Sequence, residues 1–159
     1  MDIERALLHE AIRTLELKPA IAVPLDATLA HAVATLQAEH IGCVLVTGAG
    51  GGLVGIFTER DLLTKVAGQP LDWAREQVSR FMTPGPETLR PGDPIAWALN
   101  CMHLGGYRHV PLTDEGVRPV GVVSVKDIVD LIVELFPAAV LNLPPSPRRA
   151  PPQGALDEE

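Results

Sequence analysis

Apolar residues in the first half of the chain form short runs and helical stripes that predict alternating strands and helices. Leu29, Val33 and Leu36 are spaced by four and three positions, which is typical of an amphipathic helix. β-Branched residues are frequent in the runs that follow, as expected for buried strands. We predict, in order, an extended piece at 20–23, a helix from 28 to about 39, strands at 43–46 and 53–57, and a helix from about 59 to 67.

The second half repeats this order 66 positions later. Gly55 and Asp61 recur as Gly121 and Asp127 at this offset. Units of this size can each bury a face only against the other. The pattern therefore predicts an α/β (α+β) fold in which tandem β-α-β-β-α repeats pack with pseudo-twofold symmetry. The predicted elements of the second repeat are an extended piece at 87–89, a helix opened by Asp93-Pro94, strands at 109–113 and 120–123, and a helix at 125–135.

Three further segments lie outside the repeats. A helix is predicted over 2–16, and its apolar stripe either packs on its own domain or forms a dimer contact. A connecting helix is predicted over 72–80, followed by a turn at 82–86. Five prolines within 144–159 favour a polyproline-like or disordered tail, solvated rather than bound as an SH3-type ligand. The predicted organisation is an N-terminal helix at 1–16, a first repeat at 17–70, a linker at 71–86, a second repeat at 87–136 and the tail at 137–159.

Composition and charge disfavour several classes of protein. Of 159 residues, 47% are hydrophobic and 21% charged, which indicates a folded globular protein. A net charge of −7 disfavours nonspecific attraction to nucleic acid or an anionic membrane. No apolar run approaches the ~20 residues of a membrane span, and the polar start does not resemble a signal peptide. Cys43 and Cys101 are too few for a disulfide framework, so we expect reduced thiols in a cytoplasmic protein.

Each repeat places a hydroxyl residue at the end of a strand and an acid three positions later. Thr58 and Asp61 form this pair in the first repeat, and Ser124 and Asp127 form it in the second. The simplest interpretation is a capping box at the start of a helix. A carboxylate whose oxygens are free can also accept hydrogen bonds from two vicinal hydroxyls, as a ribose presents. The duplication of the pair favours the second role beside the first.

Basic residues accompany both acids. Arg60 and Lys126 directly precede the two acids, in the first turn of each helix. A helix N-terminus with a nearby cation suits a phosphate group. Arg108 and His109 add further donors at the start of a strand, although each alone is more often a surface ion-pair partner or a packed strand residue. Together with the acids, these residues suggest a site for a ribose-phosphate.

Other chemistry has little support. The loop Gly48–Gly52 is rich in glycine but lacks the Gly-Lys-Ser/Thr of a phosphate loop, and its place between two strands indicates a hairpin. The histidines and cysteines do not have the spacing of metal ligands. No nucleophile–base pair is evident either. We therefore predict no metal site and no catalytic residues.

Both repeats resemble the cystathionine-β-synthase (CBS) domain, and the pair resembles a Bateman module. The resemblance is carried by Gly-hydrophobic-hydrophobic-Thr/Ser-x-x-Asp in each repeat, by Phe81-Met82-Thr83-Pro84 and by the stretch from Gly106 to Leu112. It covers about residues 15–135. It implies a non-catalytic regulatory module that binds AMP, ADP, ATP, S-adenosylmethionine or NAD in two clefts between the repeats.

The resemblance also implies which residues line the clefts. The ribose would be bound by Thr58, Asp61, Ser124 and Asp127, and the phosphate by Arg60, Arg108, His109 and Lys126. The adenine pockets would be formed by Ala27, Ala32, Ile41, Gly42, Cys43, Ile56, Asp93, Ala98, Tyr107 and Val122. The first repeat has Gly42-Cys43 where the second has Arg108-His109, so the basic donors are uneven. We expect the Asp127 cleft to bind more tightly than the Asp61 cleft.

Three functions are compatible with these features. The first is a nucleotide sensor that forms a homodimer and signals occupancy to an unidentified regulated protein. The second is a scaffold or interaction module whose clefts are degenerate and unliganded. The third, an enzyme, has the least support. The identity of the ligand, the number of clefts occupied and the parallel or antiparallel form of the dimer stay open at this stage.

Overall fold

The computed structural model describes residues 2–115 and 117–143. Of the tail predicted at 137–159, residues 144–159 lie outside the described residues, as does Gly116. The described part of the tail begins with a short helix at Pro137–Val140, which the prediction of a disordered tail did not include. Within the described part of the chain, no helix has the length and apolar character needed to cross a membrane. The elements follow the predicted order of two similar units, preceded by a helical segment.

The chain begins with helix α1 (Ile3–His9), followed by a short 3-10 turn at Ile12–Thr14. The continuous helix predicted over 2–16 is therefore wrong beyond His9. The two residues between the helix and the turn are extended. The carbonyl of Glu10 accepts a hydrogen bond of 3.0 Å from the amide of Ile95, in the second repeat. Backbone pairing with another part of the chain thus interrupts the helix.

The first repeat forms a four-stranded sheet in the order β1-β2-β3-β4, in which β1 and β2 are parallel and the other pairs antiparallel. Helix α2 packs on this sheet, and helix α3 continues without a break into a π-helical stretch at Leu62–Val66. The turn predicted at 82–86 contains the short strand β4. The elements are β1 (Ala22–Pro24), α2 (Leu29–Glu39), β2 (Cys43–Thr47), β3 (Leu53–Thr58), α3 (Glu59–Asp61) and β4 (Thr83–Pro84).

The linker between the repeats does not contain the helix predicted over 72–80. Over 72–80 the regular structure is a single 3-10 turn at Val78–Arg80. The amide of Val78 donates to the carbonyl of Ala27 at 2.8 Å, and the amide of Leu29 donates to the carbonyl of Glu76 at 2.8 Å. These bonds to the first repeat use backbone groups that a helix would need for itself.

The second repeat has the same layout with a smaller sheet. Strands β5 and β6 are antiparallel, and Leu89 adds an isolated parallel bridge to Leu112. The bounds of α5 agree with the helix predicted at 125–135. The elements are α4 (Ile95–Gly105), β5 (His109–Thr113), β6 (Pro119–Ser124), α5 (Val125–Leu135) and a short helix α6 (Pro137–Val140).

Two stretches, residues 10–18 and 76–84, each directly precede one repeat in the chain but pack on the other; we call them the crossing segments. Their 3-10 turns are offset by 66 positions, the period of the repeats. The first segment bridges Ala11 to Pro94, and the second bridges Gln77 to Thr28. Each bridge is the symmetry equivalent of the other. The first crossing segment thus covers the second repeat, while the second covers the first repeat.

Each repeat has its own buried core, completed by a crossing segment. Val78 is buried with Phe57 in the first core, and Ile12 is buried with Val110 in the second. Burial of one such side chain stabilises the fold by about 1.5–3 kcal/mol. A smaller buried cluster of Cys43, Leu45 and Ile56 lies where the two sheets meet, and Val122 is among the partly buried side chains packed against it.

Candidate functional site

Helix α3 starts with the predicted capping box. The Thr58 hydroxyl accepts from the amide of Asp61 at 3.2 Å, and Asp61 Oδ2 accepts from the Thr58 amide and hydroxyl, each at 3.0 Å. The second oxygen, Oδ1, lies 2.7 Å from Lys65 Nζ and accepts from Thr83 Oγ1 at 3.5 Å. The Asp61 carboxylate, in a residue only 6% exposed, therefore has both oxygens engaged.

Helix α5 starts in the same way, with one difference. Asp127 Oδ2 accepts from the Ser124 amide at 2.6 Å and from its hydroxyl at 2.7 Å. The Ser124 hydroxyl in turn accepts from the Asp127 amide at 3.4 Å. Asp127 is half-buried, and its Oδ1 has no hydrogen-bond partner among the residues that the structure describes. This oxygen is available to a donor from a ligand.

Asp127 faces the larger of two cavities, which has a volume of about 1580 Å³. Predicted ribose, phosphate and adenine positions meet there, contributed by both repeats. The predicted residues that line it are Ile41, Gly42, Cys43, Arg108, His109, Val122, Ser124, Lys126 and Asp127. Burial, reinforced by the charge of Glu59, raises the pKa of the Cys43 thiol to about 12. Cys43 is therefore an apolar part of the wall and not a nucleophile.

Asp61 faces a smaller cavity of about 390 Å³, within the range of small-molecule sites. Tyr107 of the second repeat closes one side, and its hydroxyl donates a hydrogen bond to Glu87. Burial and this carboxylate raise the pKa of Tyr107, so the phenol stays neutral. The predicted residues that line this cavity are Gly42, Ile56, Thr58, Arg60, Asp61, Tyr107, Arg108 and His109.

The two cavities share a wall made by Gly42, Glu59, Arg108 and His109. A side chain at Gly42 would crowd His109, because a Cβ atom there would lie 3.0 Å from His109 Cε1. Burial lowers the pKa of His109, and Arg108 lowers it further, against the opposing charges of Glu59 and Asp127. The wall therefore presents a neutral imidazole and a guanidinium to both sides.

The other two predicted phosphate ligands already have partners. Arg60 donates to the carbonyl of Gly106 at 2.6 Å, which leaves other donors of its guanidinium available. Lys126 pairs with Asp130, and this hydrogen bond raises the pKa of Lys126. A phosphate group would compete with Asp130 for the fully exposed ammonium.

Four predicted adenine positions line neither cavity. Ala27, Ala32 and Ala98 are buried in the cores of the repeats, since α2 and α4 turn these positions toward their sheets. Asp93 caps a turn by accepting from the Arg90 amide at 2.7 Å. These four residues therefore line neither of the two cavities, and their part in an adenine pocket stays a prediction.

Several wall residues were not predicted. Glu59 and Glu87 were missed although Glu59 directly follows the capping hydroxyl, where an acid also favours the helix dipole. The pairing of Lys65 with Asp61 could have been inferred from their spacing of four. The first crossing segment also lines the larger cavity, through Glu10, Thr14, Leu15, Glu16 and Lys18. The sequence signal for this placement is that residues 10–18 lie 66 positions, one repeat period, before residues 76–84 of the linker.

Within residues 2–115 and 117–143, no group of three or more His, Cys, Asp or Glu side chains is arranged to hold a metal ion. The polar groups of both cavities instead suit hydrogen bonding to hydroxyls and, near Arg108, to an anion.

Comparison with known proteins agrees with this architecture. A CBS domain-containing protein of Arabidopsis thaliana is 32% identical over 108 residues, which are 68% of this chain. The chain spans only about 20% of the length of that relative. The crystal structure of a CBS-domain containing protein from Agrobacterium tumefaciens is 34% identical, with a TM-score of 0.68 over 77% of this chain and 98% of the other.

A CBS domain protein from Pyrobaculum aerophilum, solved in complex with AMP, is 26% identical, with a TM-score of 0.70 over 79% of this chain and 98% of that one. The model of the CBS domain family matches residues 10–68 and 78–134, so each match begins within a crossing segment. With two matches in phase with the two structural repeats, the chain belongs to the CBS domain family and contains a pair of CBS domains.

Proposed function

We propose that this protein is a non-catalytic regulatory module that binds an adenosine-containing ligand between its two CBS domains. One observation carries the proposal: the acid of a capping box faces each of two cavities, and the cavities share a wall containing Arg108 and His109. A ribose diol would bind the acid, and a phosphate or carboxylate would bind the wall. The AMP complex of the Pyrobaculum aerophilum protein supports this class of ligand.

The charge of the larger cavity favours ligands with few phosphate groups. Acidic side chains outnumber lysine and arginine there by six to three. The acids are Glu10, Glu16, Glu59, Asp127, Asp130 and Glu134, and the cations are Lys18, Arg108 and Lys126. A triphosphate would be repelled by this balance more strongly than a monophosphate or a cationic nucleoside. We therefore rank AMP and S-adenosylmethionine above ADP, NAD and ATP.

A bound ligand would signal by favouring the conformation in which both repeats contact it. The proposal includes a homodimer and a regulated partner protein. Leu63 and Val129, at matching positions of the two repeats, are 72% and 47% exposed, and each offers an apolar side chain for association. Sedimentation of the protein with and without ligand tests the dimer.

Free thiols at Cys43 and Cys101 favour a reducing compartment, and we propose the cytoplasm.

A thermal-shift panel of AMP, ADP, ATP, NAD and S-adenosylmethionine tests the proposed function. A ligand at a hundredfold excess over its dissociation constant stabilises the fold by about 2.7 kcal/mol. For a chain of this length, this corresponds to a rise in Tm of roughly 5–10 °C. We expect the largest rise with AMP or S-adenosylmethionine, and guanosine monophosphate serves as the matched control for the base.

The second candidate is a scaffold whose cavities are not used. Both carboxylate oxygens of Asp61 already have partners within the protein, which favours this alternative for the smaller cavity. Absence of stabilisation by all five ligands at millimolar concentration would favour the scaffold for the whole module. Conversion of any of these ligands to a product would contradict the non-catalytic assignment.

A further inference from the structure

The two acids at the helix starts differ in the state of their second oxygen. Asp61 Oδ1 lies 2.7 Å from Lys65 Nζ, while Asp127 Oδ1 has no partner within the described ranges. A ribose diol needs lone pairs on a carboxylate that are not already used. Only Asp127 meets this requirement without rearrangement.

Lys65 is held in place by more than the acid. Its ammonium also donates to the carbonyl of Phe81 at 3.1 Å and to that of Met82 at 3.5 Å. With Asp61 this makes three acceptors, the full number that an ammonium can satisfy. Both carbonyls belong to the second crossing segment, so Lys65 also ties this segment to α3. Its removal from Asp61 would therefore break a network rather than one exposed ion pair.

The second repeat has no such cation. The 66-residue offset places Leu131 at the position of Lys65, and Leu131 packs against the core of the second repeat. The difference between the two acids thus follows mainly from this substitution in the repeat. Thr83 adds a weaker donor to Asp61 at 3.5 Å.

We infer that Lys65 determines the number of ligands bound, because it acts as an internal counter-ion that competes with ribose hydroxyls for Asp61. The module then binds one adenosine-containing ligand per chain, at Asp127, and the Asp61 cavity stays without a nucleotide. This inference rests on the proposed function. It gives Lys65 control over which of the two cavities binds a ligand, although Lys65 lines neither cavity.

Calorimetric titration of the full chain tests the inference, with AMP, ADP, ATP, NAD and S-adenosylmethionine as separate probes. We expect one site per chain in the wild type. Asp127→Ala should weaken it by roughly 10- to 150-fold, the effect of losing hydrogen bonds to a charged group. Lys65→Leu, which copies the second repeat, should add a second site. Lys65→Leu with Asp127→Ala should restore one site, which a purely structural role of Lys65 would not do.

Two further variants guard against a loss of folding. Lys65→Met keeps the length of the side chain and should also add a site, whereas Lys65→Arg keeps the charge and should retain one site. Circular dichroism and Tm identify the folded proteins. Two sites of similar affinity in the wild type, or an unchanged site number in folded Lys65→Leu and Lys65→Met proteins, would overturn the inference and leave the proposed function intact. Absence of binding to every probe in the wild type and all variants would overturn both.

Discussion

His109 shows how a single residue can depend on both halves of the molecule. It starts β5 in the second repeat, and its imidazole lies beside Gly42 of the first repeat. The pKa of its imidazole is lowered by burial and by Arg108, more than Glu59 and Asp127 raise it. The folded protein therefore binds a proton at His109 less readily than the unfolded chain does.

This difference predicts a pH dependence of stability. The free energy of unfolding should fall as the pH drops below about 6.5, because the unfolded chain then takes up a proton that folded His109 resists. Above this pH the contribution is constant. His109→Gln should show a smaller loss between pH 7 and pH 5.5, measured by urea denaturation. The exposed His103 offers the control, and an equal loss in His109→Gln and His103→Gln would contradict the prediction.

At the scale of elements, helices α2 and α4 end in the same way with different residues. His40 closes α2 with φ 52° and ψ 45°, and Gly106 closes α4 with φ 67° and ψ 22°. Both are left-handed conformations, in which a side chain costs about 1 kcal/mol and glycine costs little. The repeat thus preserves the backbone of the helix end but not the residue best suited to it.

His40→Gly should therefore stabilise the protein by about 1 kcal/mol, and Gly106→Ala should destabilise it by a similar amount. Chemical denaturation of both variants measures the two changes against the wild type. The pair forms a matched test, because the two positions are equivalent in the repeats. Opposite signs are expected, and a loss of stability in His40→Gly would show that its side chain contributes more than the strained backbone costs.

At the scale of the whole molecule, the crossing segments join the two repeats into one cooperative unit. Ile12 is fully buried in the second core although it precedes the first repeat in the chain. Val78 has the equivalent place in the first core. Neither repeat can lose its crossing segment without exposing part of its core, so we expect both to unfold together.

Ile12→Ala tests this cooperativity. Loss of a fully buried aliphatic side chain should lower the free energy of unfolding by about 2–5 kcal/mol. Hydrogen exchange at β2 and at β5 should then accelerate by the same factor, since both report on one transition. Leu8→Ala is the control, because Leu8 is 50% exposed and its removal should have little effect. Faster exchange confined to β5 would show that the repeats unfold separately.

The sequence allowed the order of the repeated elements, the capping boxes and the bounds of α5 to be predicted, because these depend on local periodicity and short-range hydrogen bonds. It did not reveal the end of α1 at His9 or the absence of a helix at 72–80. In both places the backbone is hydrogen-bonded to a repeat that is distant in the sequence, and no local pattern records such a bond. At the site, the sequence suggested Arg108 and His109 as donors. Their place in a wall between two cavities and the engagement of Asp61 Oδ1 depend on long-range packing, which only the structure shows.

The exchange of crossing segments also determines what a shorter chain would have to do. A polypeptide with one repeat and its own leading segment could not cover its core with that segment, which reaches the other repeat instead. Two copies could complete each other by swapping segments, in a dimer with exact twofold symmetry. Joining two such genes end to end would keep every one of these contacts within one chain. Equivalent pairs such as Ile12 and Val78 are what this origin by duplication and fusion would leave.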